Sequence, residues 1–121
     1  MVQTAQSASA NRLLAAMPEG DARALEPKLE YFRLAAGRSL HEPGEAPKHV
    51  IFPLGGIVSL LYVSERGATA ELALVGREGL VGLGPLLGAP RATARAMVRV
   101  AGAAYRLRAS DAVTLFNENP R

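Results

Sequence analysis

The residues best equipped for chemistry in this chain of 121 residues crowd into one stretch, "VGREGLVGLGPLLG", Val75 to Gly88. It holds Gly76, Gly79, Gly82, Gly84 and Gly88 with one cation, Arg77, and one carboxylate, Glu78. Glycine at this density marks a backbone that visits positive φ or passes very close to something else. Such a loop either cradles an anion with its N–H groups or simply turns. A Walker loop needs a Lys and a Ser or Thr after its last glycine, and none follows here. A dinucleotide loop needs G-x-G-x-x-G opening a long helix; Gly82 and Gly84 give only G-x-G, and Pro85 follows. Arg77 and Glu78 read as an exposed pair in the turn before "GLVG".

Metal and acid–base chemistry have less to stand on. The two histidines, His41 and His49, flank a Pro/Gly-rich segment with Glu42 and Glu45, "HEPGEAPKH". The metal-binding cupins, whose roll-shaped fold is similar, use an H-x-H pair with a Glu and a further His, which this spacing does not supply. Both histidines are expected in exposed turns, and a cupin-like enzyme is the least favoured reading. Glu65, Glu71 and Glu78 form no acid/base pair, and no Ser lies beside a His in a nucleophile elbow. The expectation is a protein that is not an enzyme, with no metal site.

Whatever the loop does, a small scaffold must hold it. The chain is long enough for a single core. It is 49% apolar with three Tyr, three Phe and no Trp, so the core must be aliphatic. Without cysteine there is no disulfide framework or thiolate nucleophile, which suits a reducing, cytoplasmic compartment. The start lacks the basic and apolar regions of a signal peptide, and no apolar run approaches ~20 residues, so no membrane segment is expected. Net charge is +3, and twelve of the fourteen cations are arginines. They are scattered, with local groups only at Arg91, Arg95 and Arg99 and at Arg106 and Arg108. Nucleic acid binding needs cations gathered on one face, so none is expected of this chain alone.

Residues 1–10 carry no apolar period and are expected to be disordered, leaving 11–121 as the domain. Asn11 is suited to cap a short helix over "RLLAAM", and a second helix with Leu25 and Leu29 at i, i+4 follows Pro18. From Tyr31 the pattern becomes short apolar runs broken by Gly and Pro: "YFRLAAG", "RSLHEPGE", "HVIFPLGG", "IVSLLYVSERG", "TAELALVG", "ATARAMVRVAG" and "AAYRLRAS". Such even spacing without long helices predicts an antiparallel β-roll or jelly roll, mainly β with short flanking helices. "SERG" reads as a hairpin turn with Gly67 at positive φ. Ser110 is a candidate N-cap for a closing helix, "SDAVTLFNENPR".

The order of these segments resembles the cyclic-nucleotide-binding domain of Crp/Fnr transcription regulators over about residues 11–121. The resemblance rests on a strand running into the Gly44–Glu45 turn, a strand ending at Gly55 and Gly56, a hairpin, and then the glycine loop. It implies that the loop is a phosphate-binding cassette: a Gly-Glu pair, a short helix, and an Arg followed by a small hydroxyl residue or Ala. In that cassette N–H groups and guanidinium hold the cyclic phosphate, and the Glu accepts from the ribose hydroxyl. Alignment on Gly82 puts Leu83 in the place of the Glu. Alignment of the next strand on "MVRV" puts Ala94 in the place of the Arg, with Arg95 one residue late. Alternation then turns Ala94, Ala96, Val98 and Val100 inward and Arg95 and Arg99 outward.

The tentative ligand set is therefore Gly82, Leu83, Ala94 and Arg95, in a degenerate cassette that does not hold a cyclic nucleotide in the family's manner. No cofactor is expected, cAMP or cGMP being the alternative, bound through Gly82 and Arg95. An apolar effector against Leu83, Leu86 and Leu87 is a further option. The resemblance also implies a regulatory domain that dimerises and reaches DNA through a helix-turn-helix domain, for which these residues show no pattern. The effector remains unspecified.

Overall fold

The computed structural model describes residues 10–82, 92 and 94–118. The Asn11 carboxamide starts the fold: its Oδ1 accepts from the Leu13 and Leu14 amides at 2.9 and 3.2 Å and caps α1, Arg12–Ala15. Its Nδ2 donates to the carbonyls of Pro53 (2.8 Å) and Gly79 (2.9 Å), so one buried side chain caps a helix and ties it to two distant segments. Helix α2, Glu19–Leu25, begins after Pro18 and runs into a 3-10 turn over Glu26–Lys28. Leu29 lies beyond both.

Seven strands follow: β1, Glu30–Leu34; β2, Ser39–His41; β3, His49–Pro53; β4, Ile57–Val63; β5, Thr69–Val75; β6, Arg95–Val100; and β7, Gly102–Arg108. All pair antiparallel, in a three-stranded sheet of order β1-β7-β3 and a four-stranded sheet of order β2-β6-β4-β5. This is the roll that the segment spacing predicts. The β4–β5 turn closes on Gly67 at φ 85°, with Ser64 and Ala68 bonded across it. Helix α3, Ala109–Glu118, ends the described chain. Ser110 does not cap it; the helix begins one residue earlier, and the Ser110 carbonyl accepts from the Thr114 hydroxyl inside it.

Two apolar layers hold the roll. Between the sheets lie Leu34, Ile51, Val58, Val81, Ala96, Val98 and Ala104. Against the outer face of the three-stranded sheet, Val50, Phe52 and Leu107 pack on Leu14, Leu25 and Ala112 of the helices. Strand β3 therefore has both faces covered, which is why "HVIFP" reads as an unbroken apolar run. Burial of side chains such as Leu34 contributes roughly 1.5–3 kcal/mol each.

Candidate functional site

The glycine loop leaves the roll at a fixed point. Val81 and Ile51 exchange both backbone hydrogen bonds at 2.8 Å, a single bridge that pins the loop's entry to β3. Gly82 follows at φ 93°, and a Cβ there would stand 2.5 Å from the His49 carbonyl oxygen. Only glycine satisfies both the left-handed backbone and that approach. The preceding turn is closed locally: the Glu78 carboxylate accepts from the Gly76 amide at 3.0 Å, and the Arg77 carbonyl accepts from the Arg12 amide at 2.7 Å. Arg77 and Glu78 are exposed, as their place in the sequence predicts.

The far end of the loop is seated on the turn between β2 and β3. Ala92 donates to the Glu45 carbonyl (2.7 Å) and accepts from the Gly44 amide (2.8 Å). From there the chain alternates into β6: Ala94, Ala96 and Val98 are buried. Val100 departs from the expected inward row and is exposed. The cause is a register shift against β4, where Ile57 opposes Val100 but Val58 opposes Val98, so Arg99 is an extra residue that reverses the alternation.

Of the predicted ligand set, Gly82, Ala94 and Arg95 are described; Leu83 lies outside the described residues, as do Leu86 and Leu87. Gly82 sits against β3, and Ala94 is inside the roll. Arg95 reaches the neighbouring strand end, where its Nε donates to Glu42 Oε1 at 2.8 Å. The other oxygen of Glu42 accepts from the Ser39 hydroxyl. The Ser39 hydroxyl and then the Arg95 guanidinium hold the Glu42 carboxyl below its ordinary range. The structure thus brings Arg95 together with Ser39 and Glu42, and no hydrogen bond among the described residues joins it to Gly82.

The histidines are not in exposed turns. His41 belongs to β2 and His49 to β3, and both are partly buried. Burial lowers the pKa of each below the ordinary imidazole value, more than the nearby carboxylates raise it. His41 Nδ1 is shielded from solvent without a hydrogen-bond partner. Among the described residues no group of three or more His, Asp or Glu side chains is placed to hold a metal ion. Glu71 is engaged by Ser59 and Arg99, away from the bond that Glu78 makes to its own turn. None of the described helices is long and apolar enough to cross a membrane.

One residue was passed over in the sequence. The family's cassette has an arginine followed by a small residue, and Arg91, followed by Ala92 and Thr93, fits that pattern as well as Arg95 followed by Ala96. Arg91 lies outside the described residues, but the pairing of Ala92 with Gly44 and Glu45 fixes the register immediately after it. Spacing within the loop does not reveal that register, because it is set by a turn far away along the chain.

Comparison with known proteins gives the fold the same reading. No curated protein matches the sequence. Among solved structures, the N-terminal domain of a transcriptional regulator from Streptomyces coelicolor A3(2) superposes with a TM-score of 0.72 at 24% identity, over 95% of this chain and 83% of that one. The regulatory domain of Toxoplasma gondii PKA, crystallised with cAMP, gives 0.74 at 19% identity, over 92% and 42%. The c-di-GMP responsive global regulator of Xanthomonas campestris gives 0.69 at 15%, over 83% and 49%. The chain thus spans less than half of the last two. At these identities the likeness establishes the roll alone, and the family is shown by a sequence-family model. That model, the cyclic nucleotide-binding domain, matches residues 31–119, and the chain belongs to this family.

Proposed function

We propose that this is the regulatory input domain of a Crp/Fnr-like regulator, with a cassette that does not hold a cyclic nucleotide in the family's usual manner. The observation that carries the reading is the placement of Arg95: its guanidinium is committed to Glu42 while Ala94 fills the inward position beside it. With Leu83 in the place of the ribose-binding carboxylate, the sugar hydroxyl has no acceptor at that position. A buried cyclic phosphate without charge-assisted bonds forgoes roughly 1.5–3 kcal/mol for each one lost. In a longer regulator the domain would act by shifting a two-state equilibrium of the segments that follow it, dimerised and bound to DNA elsewhere in the chain. The effector need not be cAMP, since a regulator with this fold from Xanthomonas is described as c-di-GMP responsive.

A second reading is favoured by the seating of Ala92: the domain binds cAMP or cGMP with Arg91, rather than Arg95, as the phosphate partner. Titration calorimetry of the wild-type chain with cAMP, cGMP and c-di-GMP, repeated with Arg91→Ala and Arg95→Ala, decides between them. No heat with cAMP or cGMP at millimolar concentration supports the first reading. Micromolar binding lost in Arg91→Ala but kept in Arg95→Ala establishes the second. Micromolar binding lost only in Arg95→Ala shows that Arg95 leaves Glu42 for the ligand.

A further inference from the structure

A cavity of about 650 Å³ opens beside the β2–β3 turn, lined from both sheets. Its size lies within the range of small-ligand sites. Phe32 of β1, Leu40 of β2 and Ile51 of β3 form its apolar floor, continuous with the core between the sheets. Ala46, Pro47 and a set of polar side chains complete the lining, and most of the polar ones are already committed. The Arg106 guanidinium stacks 5.1 Å from the Phe32 ring centroid, and its Nε donates to Glu30 at 2.7 Å. Glu42 is held by Arg95 and Ser39, and Glu45 accepts from the Glu42 amide at 2.7 Å. Burial pushes the His41 and His49 imidazoles towards the neutral form.

Arg38 and Lys48 are different. Both line the cavity, both are exposed, and no carboxylate among the described residues lies within ion-pair distance of either. The balance at the rim is therefore two free cations against the single carboxylate of Glu45, above a floor of one aromatic ring and two aliphatic side chains. A ligand that satisfies both halves has an apolar body and an anionic head. We propose that this cavity binds a small amphipathic organic carboxylate, its body on Phe32, Leu40 and Ile51 and its head between Arg38 and Lys48.

Among the described residues expected to contact a cyclic nucleotide, Gly82, Ala94 and Arg95, none lines this cavity. It is nevertheless mechanically linked to the glycine loop. The turn that forms its rim and the first residue of β3 supply the Gly44, Glu45 and His49 backbone groups on which both ends of the loop rest.

The test is an amide NMR titration of the ¹⁵N-labelled chain with 2-naphthoate and, in parallel, with its uncharged counterpart 2-naphthylmethanol. The expected result is saturable shifts at the Leu40, Lys48 and Ile51 amides, with the carboxylate binding more tightly. The double variant Arg38→Gln/Lys48→Gln should weaken naphthoate by about tenfold and leave the alcohol unchanged, since both cations are exposed and their two contacts together count for about that much. Arg38→Lys/Lys48→Arg keeps both charges and should retain binding, which separates loss of charge from loss of fold. Equal affinity for acid and alcohol, an unchanged double variant, shifts confined to β5, or no saturable shift at millimolar probe would each overturn the proposal.

Discussion

Substitution of Gly82 by alanine isolates what the loop's entry point costs. Gly82 has φ 93°, and placing an L-residue in that left-handed region costs roughly 1–2 kcal/mol by itself. The new methyl would also stand 2.5 Å from the His49 oxygen, whereas carbon–oxygen contacts settle at about 3.3–3.6 Å. That oxygen is backbone of a doubly covered strand and is next to the Ile51–Val81 bridge, so relief requires breaking a pair of hydrogen bonds each worth about 1 kcal/mol. The total comes to roughly 3–4 kcal/mol, on the order of 15 °C in Tm for a domain of this size. Gly37 is the internal control: it has nearly the same φ, 86°, with nothing within 4 Å of a built Cβ. Gly37→Ala should therefore cost only the conformational part. Urea denaturation of both variants measures the difference directly. If Gly82→Ala costs no more than Gly37→Ala, the loop's entry yields without effort, and the claim that it is pinned to β3 is wrong.

Asn11→Ala should destabilise by roughly 2–4 kcal/mol, the loss of a helix cap plus two carbonyls left short of a donor, whereas an ordinary cap deletion costs about 1 kcal/mol. Urea denaturation checks this, and a cost near 1 kcal/mol would mean that the Pro53 and Gly79 bonds contribute nothing. Asn11→Asp keeps the cap acceptor but places a carboxylate against those two carbonyls, and by the same assay it should be at least as destabilising as alanine. Arg95→Ala, by contrast, should change stability by less than about 1 kcal/mol, because its partner Glu42 is partly exposed and keeps Ser39. The folded pKa values of His41 and His49 lie below the ordinary 6.5, so the unfolded chain takes up protons first as pH falls through that value. Stability should be flat above neutrality and decline below pH 6.5; melting curves at neutral and mildly acidic pH should show a smaller drop in His41→Asn than in wild type, and an equal drop would absolve His41.

How far the sequence could be read depended on whether neighbouring residues alone decide the outcome. Strand runs bounded by Gly and Pro, the Gly67 hairpin and the Asn11 cap are local matters, and each was legible before any pairing was known. The second duty of Asn11 was not, because Pro53 and Gly79 lie 42 and 68 residues away along the chain. The same limit explains Val100. Alternation carried correctly from Ala94 to Val98, and it failed where β6 gains one residue against β4, a feature written in the partner strand and not in "RAMVRV". It also explains the ambiguity between Arg91 and Arg95, since spacing within a glycine-rich loop does not fix register. The exposed-turn reading of the histidines failed for a related reason: Pro and Gly between them signal a turn, but the strands close on that turn from both sides and draw both imidazoles into partial burial. What positions this site is therefore the set of backbone contacts between the glycine loop's two ends and the β2–β3 turn with the start of β3, Gly44 to Ile51. Those contacts are made by carbonyls and amides whose side chains carry no message about them, so chemistry-bearing residues could be nominated from the sequence while their mutual placement could not.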